Sequence, residues 1–179
     1  MRVAVFGGSF NPPHVGHAMI AGWLRWTDRA DEVWLLPTHV HAFGKPLAPF
    51  AARMAACERM AALVGPHVKV SGIEATLPSP SFTIVTLDRL AALHPEHRFR
   101  LVVGADILRQ AASWREWSRI EQDYPPIVLG RGAEAVPGAP SFPDVSSSDI
   151  RARIATGLPV DHLVPSGVVE AWMGKAGTS

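Results

Sequence analysis

The sequence predicts an α/β fold: a Rossmann-like doubly wound parallel sheet of about five or six strands, with helices on both faces. Three observations lead there. Short apolar runs alternate with helix-like segments at the spacing of βαβ units. The runs Val3-Ala4-Val5-Phe6 and Phe99 to Val103 are strongly apolar, as strands covered on both faces are. The first run leads through a glycine-rich turn directly into a helix-like segment.

In order, Arg2 to Phe6 reads as a buried strand and Val15 to about Asp28 as a helix. Glu32 to Leu36 is a second strand, stopped by Pro37, and Thr38 to Pro49 a loop. Phe50 to Val64 is a helix with Met54, Cys57, Met60 and Ala61 at helical spacing, ended by Gly65-Pro66. Val68 to Val70 is a short strand, and Gly72 to Pro80 a connector. Ser81 to Leu93 is a helix with Ile84, Leu87, Leu90 and Ala91 on one face, closed by His94-Pro95. Phe99 to Val103 is a fourth strand; Ala105 to Ala112 and Trp114 to Gln122 follow as short helices. Pro126 to Leu129 is a fifth strand, 130–143 a Gly/Pro/Ala-rich loop, and Phe142 to Val145 a last short strand. Helices over Ser147 to Thr156 and Ser166 to about Lys175 complete the chain. Right-handed crossovers follow from parallel pairing. Ligands in such sheets lie at the carboxyl ends of strands, which singles out the first loop, Pro37 onward and Gly104 onward.

The chain has 179 residues, which fits one domain, 1–179, with the C-terminal helices over 147–175 in the same unit. Apolar residues make up 47% and charged residues 18%, so a core forms and global disorder is excluded. A net charge of +1 argues against a general nucleic-acid or membrane-surface binder. One cysteine, Cys57, excludes an internal disulfide and a cysteine-cluster metal site. Met1-Arg2 runs straight into the first strand without a secretory apolar segment, and no apolar run approaches the ~20 residues of a membrane span. The expectation is a cytoplasmic protein that engages neither nucleic acid nor membrane; a homo-oligomer is allowed.

Gly7-Gly8-Ser9-Phe10-Asn11-Pro12-Pro13-His14-Val15-Gly16-His17 organises the chain. Glycines let backbone approach a ligand, and a helix starting near His14 aims its positive end into the loop. His14 and His17, three apart, share one side of the first turn. Together they form a site for a polyphosphate. This loop resembles the signature of the nucleotidyltransferase superfamily marked by His-x-Gly-His, and in particular that of bacterial nicotinate-nucleotide adenylyltransferases. The resemblance implies that His14 and His17 contact the phosphates of ATP and stabilise charge as pyrophosphate leaves, with Gly7, Gly8, Ser9 and Phe10 against the same nucleotide.

Four further segments extend the resemblance from Val3 to about Trp172. Val145-Ser146-Ser147-Ser148-Asp149-Ile150-Arg151 is similar to the family's Ile-Ser-Ser-Thr-x-Ile-Arg, with Val145 and Ser148 as conservative departures. Ser146 with Asp149 also fits a helix capping pattern, and capping and phosphate binding are compatible. Gly104-Ala105-Asp106 follows a strand; Asp106 either caps the next helix or, as the resemblance implies, accepts from a ribose hydroxyl. In Ser113-Trp114-Arg115-Glu116-Trp117 the resemblance sets Trp114 near the nicotinate ring with Arg115 beside it, whereas core packing is the competing reading; Trp117 is assigned to the core. Pro80-Ser81-Phe82-Thr83 is similar to Pro-Ser-Tyr-Thr, which implies that Thr83 reads the nicotinate carboxylate; Ser81 as a plain helix cap is the alternative. The loop His39 to Lys45 lacks the family's Pro-Pro-His-Lys or Pro-Pro-His-Arg string. His41 and Lys45 stand in its place for acceptor or phosphate binding, against the reading of a solvated loop. No protein-bound metal is expected, since no compact Cys/Glu/His set accompanies these histidines. His67, His94, His97 and His162 lie near element ends and read as surface residues.

The resemblance thus implies transfer of AMP from ATP to nicotinate mononucleotide, giving deamido-NAD and pyrophosphate, with Mg²⁺ carried on the ATP phosphates. The rivals are an adenylyl- or cytidylyltransferase of the same superfamily with another acceptor, such as nicotinamide mononucleotide or phosphopantetheine, and a nucleotide-binding protein without turnover. A Rossmann dehydrogenase is disfavoured, because Gly7, Gly8 and Gly16 lack the Gly-x-Gly-x-x-Gly spacing.

Overall fold

The computed structural model describes residues 1–40, 44, 46–80, 82–132, 136–138 and 140–174. Six strands pair in one sheet: β1 (Arg2–Gly8), β2 (Glu32–Pro37), β3 (Val68–Val70), β4 (Arg98–Gly104), β5 (Ile127–Arg131) and β6 (Ser141–Phe142). Their spatial order is β3-β2-β1-β4-β5-β6, and every pair is parallel. The order reverses direction between β1 and β4, which opens a crevice at their carboxyl ends.

The helices are α1 (Val15–Trp26), α2 (Phe50–Val64), α3 (Thr83–Leu93), α4 (Ala105–Leu108), α5 (Trp117–Asp123), α6 (Ser147–Ala155) and α7 (Val168–Trp172). Alternation along the strands divides the core between the two faces of the sheet. Ala4, Val33, Leu35 and Val102 point to the side covered by α1, α2, α6 and α7. Val3, Val5, Trp34, Leu36, Leu101 and Val103 point to the side covered by α3 and α5. The α2 stripe that is buried consists of Arg53, Ala56, Cys57, Met60 and Ala61, while Met54 is half-buried.

Several expected elements are shifted. α3 begins at Thr83 because Phe82 is extended (φ −90°, ψ 145°) as the chain leaves Pro80. Ser81, its expected cap, lies outside the described residues. The connector after β3 contains a 3-10 turn, Ile73–Thr76. The helix expected over Ala105 to Ala112 is α4 plus a 3-10 turn, Ala111–Ser113. Trp114 is extended (φ −78°, ψ 139°), and α5 starts only after Glu116, which takes a left-handed conformation (φ 55°). β5 runs on through Gly130 and Arg131, and β6 starts at Ser141, inside the segment read as loop. Among the described residues no helix is long and apolar enough to cross a membrane.

Candidate active site

The loop after β1 enters α1 at His14, whose extended backbone (φ −147°, ψ 175°) makes it the N-cap. One helical turn brings the two imidazoles together: the ring centroids of His14 and His17 are 3.7 Å apart, with planes inclined by 31°. The His14 backbone N–H donates to His17 Nδ1 at 3.1 Å. In the neutral ring that bond makes Nε2 the N–H donor of His17. Phe10 and Phe6 flank the His17 ring at 4.9 and 5.7 Å and set its direction. His14 is buried and His17 half-buried. Gly16 packs closely on this pair: a Cβ there would meet the His14 ring at 3.1 Å and push it by a few tenths of an ångström. Phe10 is buried with φ 44°, a left-handed conformation that is uncommon outside glycine.

Two other segments brace the loop. Ser146 caps α6, its Oγ accepting from the N–H groups of Ser148 and Asp149 at 3.2 and 3.3 Å. Ser147 Oγ donates to the Pro12 carbonyl at 2.8 Å, and Arg151 Nη1 donates to the Asn11 carbonyl at 2.6 Å. Arg151 Nη2 also reaches Ser148 Oγ at 3.1 Å. The two sequence signatures, far apart in the chain, therefore form one surface. On the other side Asn11 Oδ1 accepts from the Ala48 N–H at 3.2 Å and from Trp172 Nε1 at 3.0 Å.

Three cavities meet at this point. A polar recess of about 220 Å³ is lined by Ser9, Phe10, His14, His17, Ser146, Ser147, Ser148 and Arg151. A second cavity of about 230 Å³ lies over the β1–β4 crevice between Gly7, Gly104, Asp106 and the histidines, with Ile20, Leu129 and Phe142 as apolar walls. A third, about 390 Å³, extends from Gly7, Gly8 and Ser9 to Thr83, Thr86 and Trp114. His14 and His17 separate the first two cavities; Gly7 and Gly104 belong to both the second and the third. The Asp106 carboxylate occupies the space beside Gly104, so a Cβ at 104 would displace it.

Arg115 is exposed and does not line these cavities. It ion-pairs with Glu116 and lies over the Phe82 ring, 5.0 Å from its centroid. Trp114 is half-buried, contributing both to the third cavity and to the core, and Trp117 packs edge-on against it at 5.8 Å. His41 and Lys45 lie outside the described residues. Of the four histidines read as surface residues, His162 is exposed, but His67, His94 and His97 are partly buried.

Sequence reasoning missed three contributors. Thr86 is buried, one turn after Thr83, and its hydroxyl donates to Glu74 Oε1 at 2.9 Å at the third cavity. Asn11 lies within the quoted loop, but its bridging is a tertiary effect. Arg53 is buried and donates to the carbonyls of Ala48 and Ser9, each at 2.9 Å, so it holds the loop after β2 against the loop after β1. Burial pushes its guanidinium pKa down. Its signal was present: Arg53 stands four residues before Cys57, on the buried stripe.

A family model described as cytidylyltransferase-like matches residues 5–153. A relative from Anaeromyxobacter sp. (strain K), named "Probable nicotinate-nucleotide adenylyltransferase", is 52% identical over 94% of this chain and 91% of its own. One of the same name from Myxococcus xanthus (strain DK1622) is 40% identical over 94% and 90%. Among solved structures, the Plasmodium falciparum nicotinic acid mononucleotide adenylyltransferase complexed with NaAD superposes with a TM-score of 0.76 at 17% identity, covering 97% of this chain and 95% of that one. At that identity the likeness speaks to the fold.

Proposed function

The chain belongs to the cytidylyltransferase-like family, in its nicotinate-nucleotide adenylyltransferase branch, and we propose that the three converging cavities are where it transfers AMP from ATP to nicotinate mononucleotide. The products are deamido-NAD and pyrophosphate. The observation that carries the assignment of sites is that His14 and His17 form the wall between the polar recess and the crevice cavity. In this reading the triphosphate tail occupies the recess and the adenosine the crevice, so the α-phosphorus lies at the imidazoles. The acceptor enters from the third cavity. Trp114 stacks its ring there, and Thr83 hydrogen-bonds its carboxylate.

A phosphate oxygen of the acceptor forms a bond to the α-phosphorus, and the bond from that phosphorus to the oxygen bridging toward the β-phosphorus breaks. The electron pair leaves with pyrophosphate. The nucleophile is already anionic near neutral pH, so catalysis is positioning and charge neutralisation. The His17 Nε2–H, the His14 ring and the positive end of α1 act on the developing charge. Arg151 and the serines hold the leaving phosphates, and the Asp106 carboxylate accepts from the ribose. The recess lining among the described residues offers imidazoles, hydroxyls and a guanidinium rather than carboxylates. A divalent cation, Mg²⁺ in this proposal, would therefore arrive with the triphosphate rather than be held by carboxylates of the recess. Such an ion would supply charge neutralisation on the phosphates. A single domain acting in the cytoplasm completes the reading.

The test is His17→Ala. Turnover falls about 10²–10³-fold, as for a lost charge-stabilising donor, while circular dichroism and melting stay near wild type. Near-normal turnover refutes the role given to His17.

A further inference from the structure

A second group of side chains, remote from the cleft, has ligand geometry. The α3–β4 connection is the tight turn His94-Pro95-Glu96-His97, closed by the His97 N–H donating to the His94 carbonyl at 3.0 Å. The turn places the first and fourth side chains next to each other: the two imidazoles are parallel within 6°, centroids 5.5 Å apart. Glu96 Oε1 reaches both, at 3.3 Å from His97 Nε2 and 3.9 Å from His94 Nδ1. One ligand atom from each of the three residues lies within 4.8 Å of the others. Tetrahedral ligands about 2.0–2.1 Å from a zinc ion stand roughly 3.3 Å from one another, so small side-chain rotations close the set.

The surroundings hold the imidazoles in place. Trp34 packs edge-on against His94 at 5.0 Å and His97 at 5.8 Å, and Phe99 packs against His97 at 6.0 Å. The His97 side chain is only 9% exposed. The Trp34 indole is itself fixed, donating to Glu32 Oε2 at 2.8 Å, and Glu32 is in turn ion-paired with Lys69 at 2.6 Å. Two imidazoles and one carboxylate, anchored on a rigid wall with one side open to solvent, suit a borderline cation and leave room for a water ligand.

We infer that His94, Glu96 and His97 form a binding site for a divalent transition-metal ion of the Zn²⁺ class. It sits one β4 length, about 20 Å, from the nucleotide cleft. α3 connects the two places: Thr83 at its start lines the third cavity, and His94 caps its end. An ion here clamps the end of α3 to the start of β4 and stabilises the folded chain in proportion to its occupancy.

The experiment uses the whole chain, freed of metal by chelation. Zn²⁺ binding is followed by calorimetry and thermal unfolding, and Co²⁺ by its visible absorption, with Mg²⁺ as control. One equivalent of Zn²⁺ binds and raises Tm, Co²⁺ gives the intense bands of a low-coordinate site, and Mg²⁺ does neither. His97 is part of the packing, so His94→Ala and Glu96→Gln decide the matter. Each weakens Zn²⁺ binding by at least the roughly tenfold that even outer-shell changes cost, while the chelated variants melt like the chelated wild type. Absence of uptake shows an ion pair only and overturns the inference. Uptake equal in wild type and both variants places the ion elsewhere, for example at His14 and His17, and overturns it equally.

Discussion

The orientation of His17, on which its proposed role depends, is set by its neighbours. The His14 N–H fixes its tautomer, and two phenyl rings fix its plane. Asp106 depends on a neighbour in the same way, since its carboxylate occupies the space a side chain at 104 would take. Gly104→Ala therefore displaces the proposed ribose acceptor. Losing a hydrogen bond to a charged group, worth about 1.5–3 kcal/mol, raises the KM for ATP about ten- to a hundredfold, with a smaller change in kcat; steady-state kinetics read both. Tyr124 gives a check away from the cleft. It is the one tyrosine in the sequence, and its hydroxyl donates to Asp88 Oδ1 at 2.8 Å. Burial, then the Asp88 carboxylate, pushes its pKa up to about 12. The folded state thus favours the protonated phenol: the stabilisation is complete below the unfolded pKa of about 10 and is lost as pH rises toward 12. Ultraviolet titration should show a midpoint near 12 in the folded protein, and Asp88→Asn should lower it.

At the scale of elements, the start of α6 does two jobs. Ser146 satisfies two backbone donors, while Ser147 and Arg151 tie α6 to the histidine loop. Ser146→Ala removes the cap at a cost of about 1 kcal/mol, which lowers Tm by roughly 2–4 °C for a chain of this size. A loss near zero would mean that the ties from Ser147 and Arg151 alone hold the helix start. Elements with strong local signals were legible: the β1 run, α2 bounded by Pro49 and Gly65, and β3 were read at or near their observed limits. The α5 region was not, because helix propensity favours a start at Trp114, whereas Glu116 adopts a left-handed conformation that no residue type announces. That turn leaves Trp114 extended at the third cavity and sends only Trp117 into the helix. Arg53 was passed over because a lone arginine in an apolar stripe gains its meaning from carbonyls on two distant loops.

The whole molecule depends on one topological fact. Because β1 and β4 are adjacent at the reversal of strand order, the loop after β1 and Gly104-Ala105-Asp106 share one crevice, and α6, from the other end of the chain, is tied to that loop and lines the neighbouring recess. Alternating strands and helices made that arrangement legible in outline. The ties of α6 to the loop after β1, and the junction of Asn11 with Ala48 and Trp172, are contacts between residues far apart in sequence and could not be read locally. Acceptor identity is the most exacting claim, since the third cavity is shaped by Thr83, Thr86, Glu74 and Trp114 together. It is tested most directly by measuring pyrophosphate release from ATP with a panel of acceptors: nicotinate mononucleotide, nicotinamide mononucleotide and phosphopantetheine. The account predicts stoichiometric pyrophosphate and deamido-NAD with nicotinate mononucleotide, at the highest kcat/KM of the panel. ATP binding without turnover, or a higher kcat/KM for another acceptor, would contradict it.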